Sequence, residues 1–374
     1  MEVSNTMNDR IKALLDLEHQ VPAQLLYEFS DLDAKEKADL AKVWHKIPLQ
    51  RRQTFMQDLV SLADNDDMLM FEGVARIALE DEDSAVLVSA IDLLFEAEDF
   101  RLAPLYLRFL ADQSRNENVR AAAANALGPY VYLGETERIE SDLLLEIEES
   151  LLKSYREDSS DLVRRRALES LGYSGRAEVP ALLRKAIAMR DELWLESALF
   201  AMGRSADEQW EEQILENLDH ENVAVRIQAV HAAGELGLSK ARKSLLKGID
   251  TALDESLRHE IVWALAMIGG DGVERKLESL MKNADNDEEA AFIDDAIELL
   301  NFTEGSENFE LFAMPYQEGE DHQHKEFEFD DDEDYLDDQD FDEEEWEVYV
   351  DDDDNEADDE DDYSVGDFDE DRFN

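Results

Sequence analysis

Between Leu87 and Asn301 the apolar and polar positions follow one helical register seven times. Aligned on Leu87, Arg120, Arg164, Leu195, Arg226, Arg258 and Ile293, the third residue onward is Ala90, Ala123, Ala167, Ala198, Ala229, Ile261 and Ala296. The fourth residue onward is apolar in every copy (Ile91, Ala124, Leu168, Leu199, Val230, Val262, Ile297), and so is the seventh (Leu94, Leu127, Leu171, Met202, Ala233, Leu265, Leu300). That spacing puts all three positions on one face of an α-helix, and the small third residue predicts a close helix contact. The copies lie 33, 44, 31, 31, 32 and 35 residues apart, a period that signals stacked supersecondary units rather than one globular core. Second amphipathic stretches, such as the one opening at Ala177, fall between the copies and predict helix pairs, hence an all-α solenoid. Glycines 128, 172, 203 and 234 stand eight residues after the reference position, where a left-handed helix cap is expected. The 44-residue interval predicts a longer loop around residues 132–140.

The flanks differ in kind. Residues 1–80 have helical spacing without the register and are expected to form a divergent N-terminal cap of two or three helix pairs, ahead of repeats at 81–303. Residues 304–317, with Phe309, Leu311, Phe312 and Met314, read as a docking segment or linker. From Glu318 to Asn374 there are 32 Asp plus Glu against Lys325 and Arg372, a net −30 out of the chain's −61. A block this charged lacks the apolar area to offset the entropy of ordering, so a disordered acidic tail is expected. Phe327, Phe329, Tyr335, Phe341, Trp346 and Tyr349 are spaced along it as candidate contact points. The chain has no cysteine, which removes disulfides, thiolate metal sites and cysteine nucleophiles. The N-terminus mixes acids with apolar residues and resembles neither a signal peptide nor a membrane span, so a soluble, cytoplasmic protein is expected.

The strings opening at Asn116, Ser159 and Glu221 carry a resemblance: an acidic or Asn residue, then Val-Arg, then an Ala-rich helix and a second helix. They resemble the HEAT-like repeat of the phycobilisome-lyase type over about residues 80–303. This repeat specifies a fold far more than a function. The resemblance implies that the Val-Arg helices line a concave surface. Register positions one, two and five would then face a groove, the last two about 160° from the apolar seam. The candidate partner-binding stripe on that surface is Arg165, Arg166, Glu169, Phe200, Gln228, His231, His259 and Trp263. Phe200, His231 and Trp263 share position five in consecutive repeats. The arginines at 120, 164, 226 and 258 recur with the fold itself and are expected to form a structural ladder that bridges repeats and satisfies loop carbonyls.

Candidate chemistry narrows further. His259-Glu260 resembles the His-Glu motif of deoxyhypusine hydroxylase, a HEAT-like di-iron enzyme, but no other repeat supplies such a pair in register, and His220-Glu221 lies in a turn outside it. No metal site and no cofactor are expected. Phosphate-binding, dinucleotide-binding and nucleophile-elbow motifs are lacking, and the acid runs at Asp330 and Asp351 lack EF-hand spacing. Direct nucleic-acid binding is opposed by the negative charge of solenoid and tail alike. A tail of −30 instead attracts basic partners over the screening length of about 8 Å. The sequence therefore reads as a noncatalytic scaffold that binds a protein partner, one with a basic segment, in a concave groove, with an acidic arm that recruits or shields basic sequences. The competing readings are an enzyme or maturation factor handling a small ligand in the groove, and an acidic chaperone or nucleic-acid mimic.

Overall fold

A computed structural model describes residues 6–66, 68–97, 99–284 and 286–311, without the side chains of Glu288 and residues 304–311. The acidic segment 318–374, the contacts expected of its aromatic residues, and residues 312–317 lie outside the described residues. Among the described residues the chain forms α-helices and short 3-10 turns and no strand. The N-terminal helices are α1 (Met7–Leu15), α2 (Ala23–Tyr27), α3 (Ala34–Ala41), α4 (Leu49–Ala63) and α5 (Glu72–Ala78). Inner helices then alternate with outer ones: α6 (Ser84–Asp92), α7 (Ala103–Ala111), α8 (Glu117–Ala126), α9 (Gly128–Glu135), α10 (Ser141–Glu157), α11 (Asp161–Ser170) and α12 (Val179–Ala188). The row continues with α13 (Glu192–Arg204), α14 (Glu211–Asn217), α15 (Val223–Glu235), α16 (Arg242–Gly248), α17 (Glu255–Ile268), α18 (Val273–Lys282) and α19 (Asp287–Leu311). The register helices α6, α8, α11, α13, α15, α17 and α19 pack one on the next in that order.

The sequence sets these starts and faces directly. Carboxylates or carboxamides of Asp83, Asn116, Asp191, Asn222 and Asp254 accept first-turn amide N–H groups, so the polar residue ahead of each apolar face is its N-cap. The third, fourth and seventh register positions are buried in every copy, except that Ile297 is half-buried in the last. Two apolar clusters result, one running from Leu14 to Ala90 and the other from Ala75 to Leu300.

Three expectations are corrected. None of glycines 128, 172, 203 and 234 adopts a left-handed backbone. They are small because the next register helix presses on them. A Cβ at Gly172 would stand 2.7 Å from the Ala201 carbonyl oxygen, one at Gly203 2.9 Å from Ala232 Cα, and one at Gly234 3.0 Å from Ala264 Cα. Each glycine at register position eight thus meets a small residue at position six of the following repeat. The 44-residue interval is no long loop either: α9 occupies residues 128–135, and the chain then runs into the 17-residue α10. The register also starts one helix earlier than Leu87. In α4, Arg52 takes the reference position, and Phe55, Met56 and Leu59 at the third, fourth and seventh are all buried. A phenylalanine where the other copies carry alanine disguises that helix.

Three of the register arginines, Arg52, Arg120 and Arg258, clasp a carboxylate of the next unit, whereas Arg164 bonds within its own helix pair. Arg120 donates from Nε and Nη2 to Asp158 at 3.0 and 2.9 Å and from Nη1 to the Arg115 carbonyl at 2.6 Å. Asp158 stands two residues before Ser160, the N-cap of α11, and also accepts from the Ser160 amide and from Gln113. Arg52 repeats the arrangement, reaching Asp81 at 2.7 Å and the Ile47 carbonyl at 2.6 Å. Arg164 bonds Asp161 and the Tyr155 carbonyl, and Arg258 pairs with Glu289 at 2.8 Å. Burial acts to raise the pKa of the Asp158 carboxyl, but Arg120, the Ser160 amide and Gln113 outweigh it and hold it below the ordinary value.

Two stability measurements check this account. Gly172→Ala should destabilise by about 1–3 kcal/mol through overpacking, whereas Gly248→Ala, where the nearest atom is 3.8 Å from the new Cβ, should be neutral or slightly stabilising in the same urea titration. Asp158→Ala leaves Arg120 buried without its partner and should destabilise by about 3–5 kcal/mol at pH 7. Because the folded carboxyl titrates below 3.8, the parent keeps this advantage above that pH. It loses the advantage as acid protonates Asp158 in the folded state.

Candidate binding face

Residues from several register helices line one cavity. A groove of about 920 Å³ is walled by Gln57 from α4, Asp92 and Phe95 beside α6, Asn125 from α8, Arg166 and Glu169 from α11, and Phe200 and Arg204 from α13. Of the eight stripe residues, Arg166, Glu169 and Phe200 meet in this groove. The remaining five are distributed along the same row of helices. Arg165 is half-buried, its guanidinium 3.5 Å from Ser197 Oγ. Gln228 is half-buried in α15. His259 is exposed and packs against Phe292 with ring centroids 4.5 Å apart. It borders a second cavity of about 660 Å³, shared by Asp64 and Asn65 from the end of α4 with Leu253, Arg258 and Phe292.

Phe200, His231 and Trp263, read from the sequence as a stripe facing the groove, instead stack face to face in a column. Centroids of Phe200 and His231 lie 5.5 Å apart at 24°, and those of His231 and Trp263 4.9 Å apart at 14°. The Arg204 guanidinium caps the column 4.0 Å from Phe200 and also lies over Tyr173. All three rings are half-buried, with their faces turned to one another. His231 Nδ1 lies 2.9 Å from Glu260 and Nε2 3.4 Å from Glu235. Burial opposes a charge on this ring, but the two carboxylates prevail and push its pKa up to about 9. A charged imidazole between two aromatic faces combines stacking with cation–π attraction.

Two features of the face differ from the sequence expectation. Glu169, assigned to a solvent-facing position, is buried at 3% exposure, because Arg166 lies 2.5 Å from its carboxylate and Arg204 reaches its carbonyl at 3.3 Å. The face also carries a cation outside the expected stripe, since Arg204 joins Arg165, Arg166 and the charged His231. Arg204 stands nine residues after the reference Leu195, beyond the positions the helical wheel singled out. Asp64 is the other residue the sequence did not flag. It sits opposite Asp92, whose side chain remains exposed in the groove; crowding by the groove walls and the charge of Asp64 together push the Asp92 carboxyl up to about 6. Among the described residues no three His, Asp or Glu side chains converge closely enough to hold a metal ion.

A family model described as HEAT repeats matches residues 190–266 and 211–301. It does not distinguish the phycobilisome-lyase subtype. The structure is similar to importin beta, at 14% identity and a TM-score of 0.37 over 78% of this chain and 47% of that one, so the chain spans about half of importin beta's length. It is also similar to human deoxyhypusine hydroxylase (14% identity, TM-score 0.29, 79% of this chain and 96% of that one). An engineered protein is a third likeness, at 18% identity and a TM-score of 0.34 over 83% of this chain and 95% of that one. No curated protein matches the sequence. The seven-fold register, its stacked helix pairs and the match over residues 190–301 make this chain a HEAT-like repeat protein.

Proposed function

We propose that this protein is a noncatalytic scaffold that holds an extended basic segment of a protein partner in the groove of its inner helices. The observation that carries the reading is the groove itself: about 920 Å³, open along the inner helices, with Asp83, Asp92 and Glu169 beside apolar Val88, Leu162 and Phe200. Its cations are engaged by the protein's own groups, Arg166 by the Glu169 carboxylate and Arg204 by the Glu169 carbonyl. Among the described residues neither the Asp64 nor the Asp92 carboxylate forms an ion pair, Arg166 attracting Asp92 only from farther off, and a lysine or arginine entering between them would relieve their repulsion. Phe200 lines the groove directly, while His231 and Trp263 hold it in place from behind. The acidic segment 318–374 adds long-range attraction for the same class of partner. Among the described residues no helix is long and apolar enough to cross a membrane.

Titration calorimetry with an unstructured Lys/Arg-rich peptide tests the reading, using the full chain, the chain without residues 318–374, and Asp64→Asn/Asp92→Asn in each. The double variant should weaken binding about three- to tenfold in both backgrounds. Affinity for the parent should rise between pH 5 and 7 as Asp92, titrating at about 6, gains its charge, and Asp92→Asn should reduce that rise. Binding that vanishes with the tail and ignores the groove substitutions would leave only the acidic arm as a binding element.

A further inference from the structure

One register arginine is unlike its siblings. Arg52 and Arg120 each grip an aspartate ahead of the next register helix, Asp81 and Asp158, while Arg164 pairs with Asp161 in the first turn of its own helix and Arg258 with Glu289 inside α19. Arg226 repeats half of the clasp: its Nη1 donates to the carbonyls of His220 and Glu221, as Nη1 of Arg120 and Arg52 donates to a loop carbonyl. Its Nε and Nη2, the atoms that grip Asp158 in the Arg120 clasp, meet no carboxylate among the described residues. The reason lies in the sequence. Asp81 and Asp158 each stand two residues before the N-cap of the following register helix, where they also accept the cap residue's own amide N–H. The corresponding residue before Asp254 is Ala252.

A cavity of about 490 Å³ opens where that aspartate would project. Arg226 and Ala252 line it together with Leu218, Val230, Leu257 and Ile261, and the hydroxyl residues Ser244 and Thr251 stand in its wall. Asp219 and Asp254 also border it, and the Asp254 carboxylate is engaged in capping α17 through the Leu257 amide. A guanidinium with two free donors in a fixed fork binds a carboxylate in bidentate fashion, and the surrounding aliphatic side chains favour an apolar body behind it.

We propose that this cavity, between the α14/α15 and α16/α17 repeats, binds a small monocarboxylic acid with an apolar chain, whose carboxylate takes the place of the missing aspartate on Arg226. The two bordering aspartates disfavour a second negative charge, so the site takes monocarboxylates in preference to dicarboxylates. The site is separate from the inner groove and independent of the partner bound there.

Octanoate, 1-octanol and the dicarboxylate suberate serve as probes of the full chain, by ligand-observed NMR and titration calorimetry. Octanoate should bind, and 1-octanol and suberate should bind about tenfold more weakly or not at all. Ala252→Asp supplies the carboxylate found in the sibling clasps; it should abolish octanoate binding and raise the melting temperature. Arg226→Met should weaken octanoate about tenfold or more while leaving the helical circular dichroism in place. If Arg226→Met fails to fold, Ala252→Asp alone decides. Absence of octanoate binding at millimolar concentration, equal affinity for 1-octanol, or undiminished binding by Ala252→Asp would each overturn the proposal.

Discussion

The distance of approach between consecutive register helices governs this molecule. At register position eight the side chain is reduced to hydrogen in four successive repeats, and the small residue at position six of the next repeat rests against it. Small, complementary surfaces let the two backbones come close, so dispersion contacts accumulate along the row. The same closeness builds the aromatic column. The Trp263 ring lies so near Gly234 that a Cβ there would stand 2.6 Å from it, and His231 then finds a ring on each side. A wider spacing would separate the rings and open the seam to water.

Electrostatics is distributed with the same economy. The chain carries a net −61, yet the register arginines point into the joints between repeats, where they tie a loop carbonyl and a carboxylate to one guanidinium. On the inner face Arg166 is likewise held by the Glu169 carboxylate and His231 by Glu235 and Glu260, while Arg204 rests on the Glu169 carbonyl and on the rings of Phe200 and Tyr173. In a stack where each unit touches only its neighbours, such clasps act between adjacent units, and removing one weakens one joint.

Much of the fold was legible in the chain because a repeated pattern averages out local ambiguity. Alanine at the third position, the apolar fourth and seventh, and the polar cap ahead of them identify a helix in each copy. The alignment of Phe200, His231 and Trp263 at one register position put them in one stripe, but did not foretell their stacking on one another, which comes from the close approach of the helices. What escaped was whatever depends on a neighbour. Glycine suits both a left-handed turn and a tight contact, and only the adjoining helix tells them apart. The α4 copy was hidden because Phe55 fills a place held by alanine in six other copies. The burial of Glu169 needed Arg204 from the next repeat, and the opposition of Asp64 to Asp92 needed curvature that no single helix encodes.

Helix α6 belongs to both apolar clusters, giving Val86 and Ala90 to the N-terminal one and Leu87 and Ile91 to the other. A small N-terminal core and a long one through the later repeats, meeting only across α5 and α6, do not melt as a single unit of necessity. Heat or mechanical load entering from the N-terminus meets a natural stopping point at residues 84–92, where the first core is spent and the second begins. The molecule then has a partly unravelled form, with its later repeats intact and the apolar Val86 edge of α6 laid open, a surface of the kind that proteases and chaperones recognise.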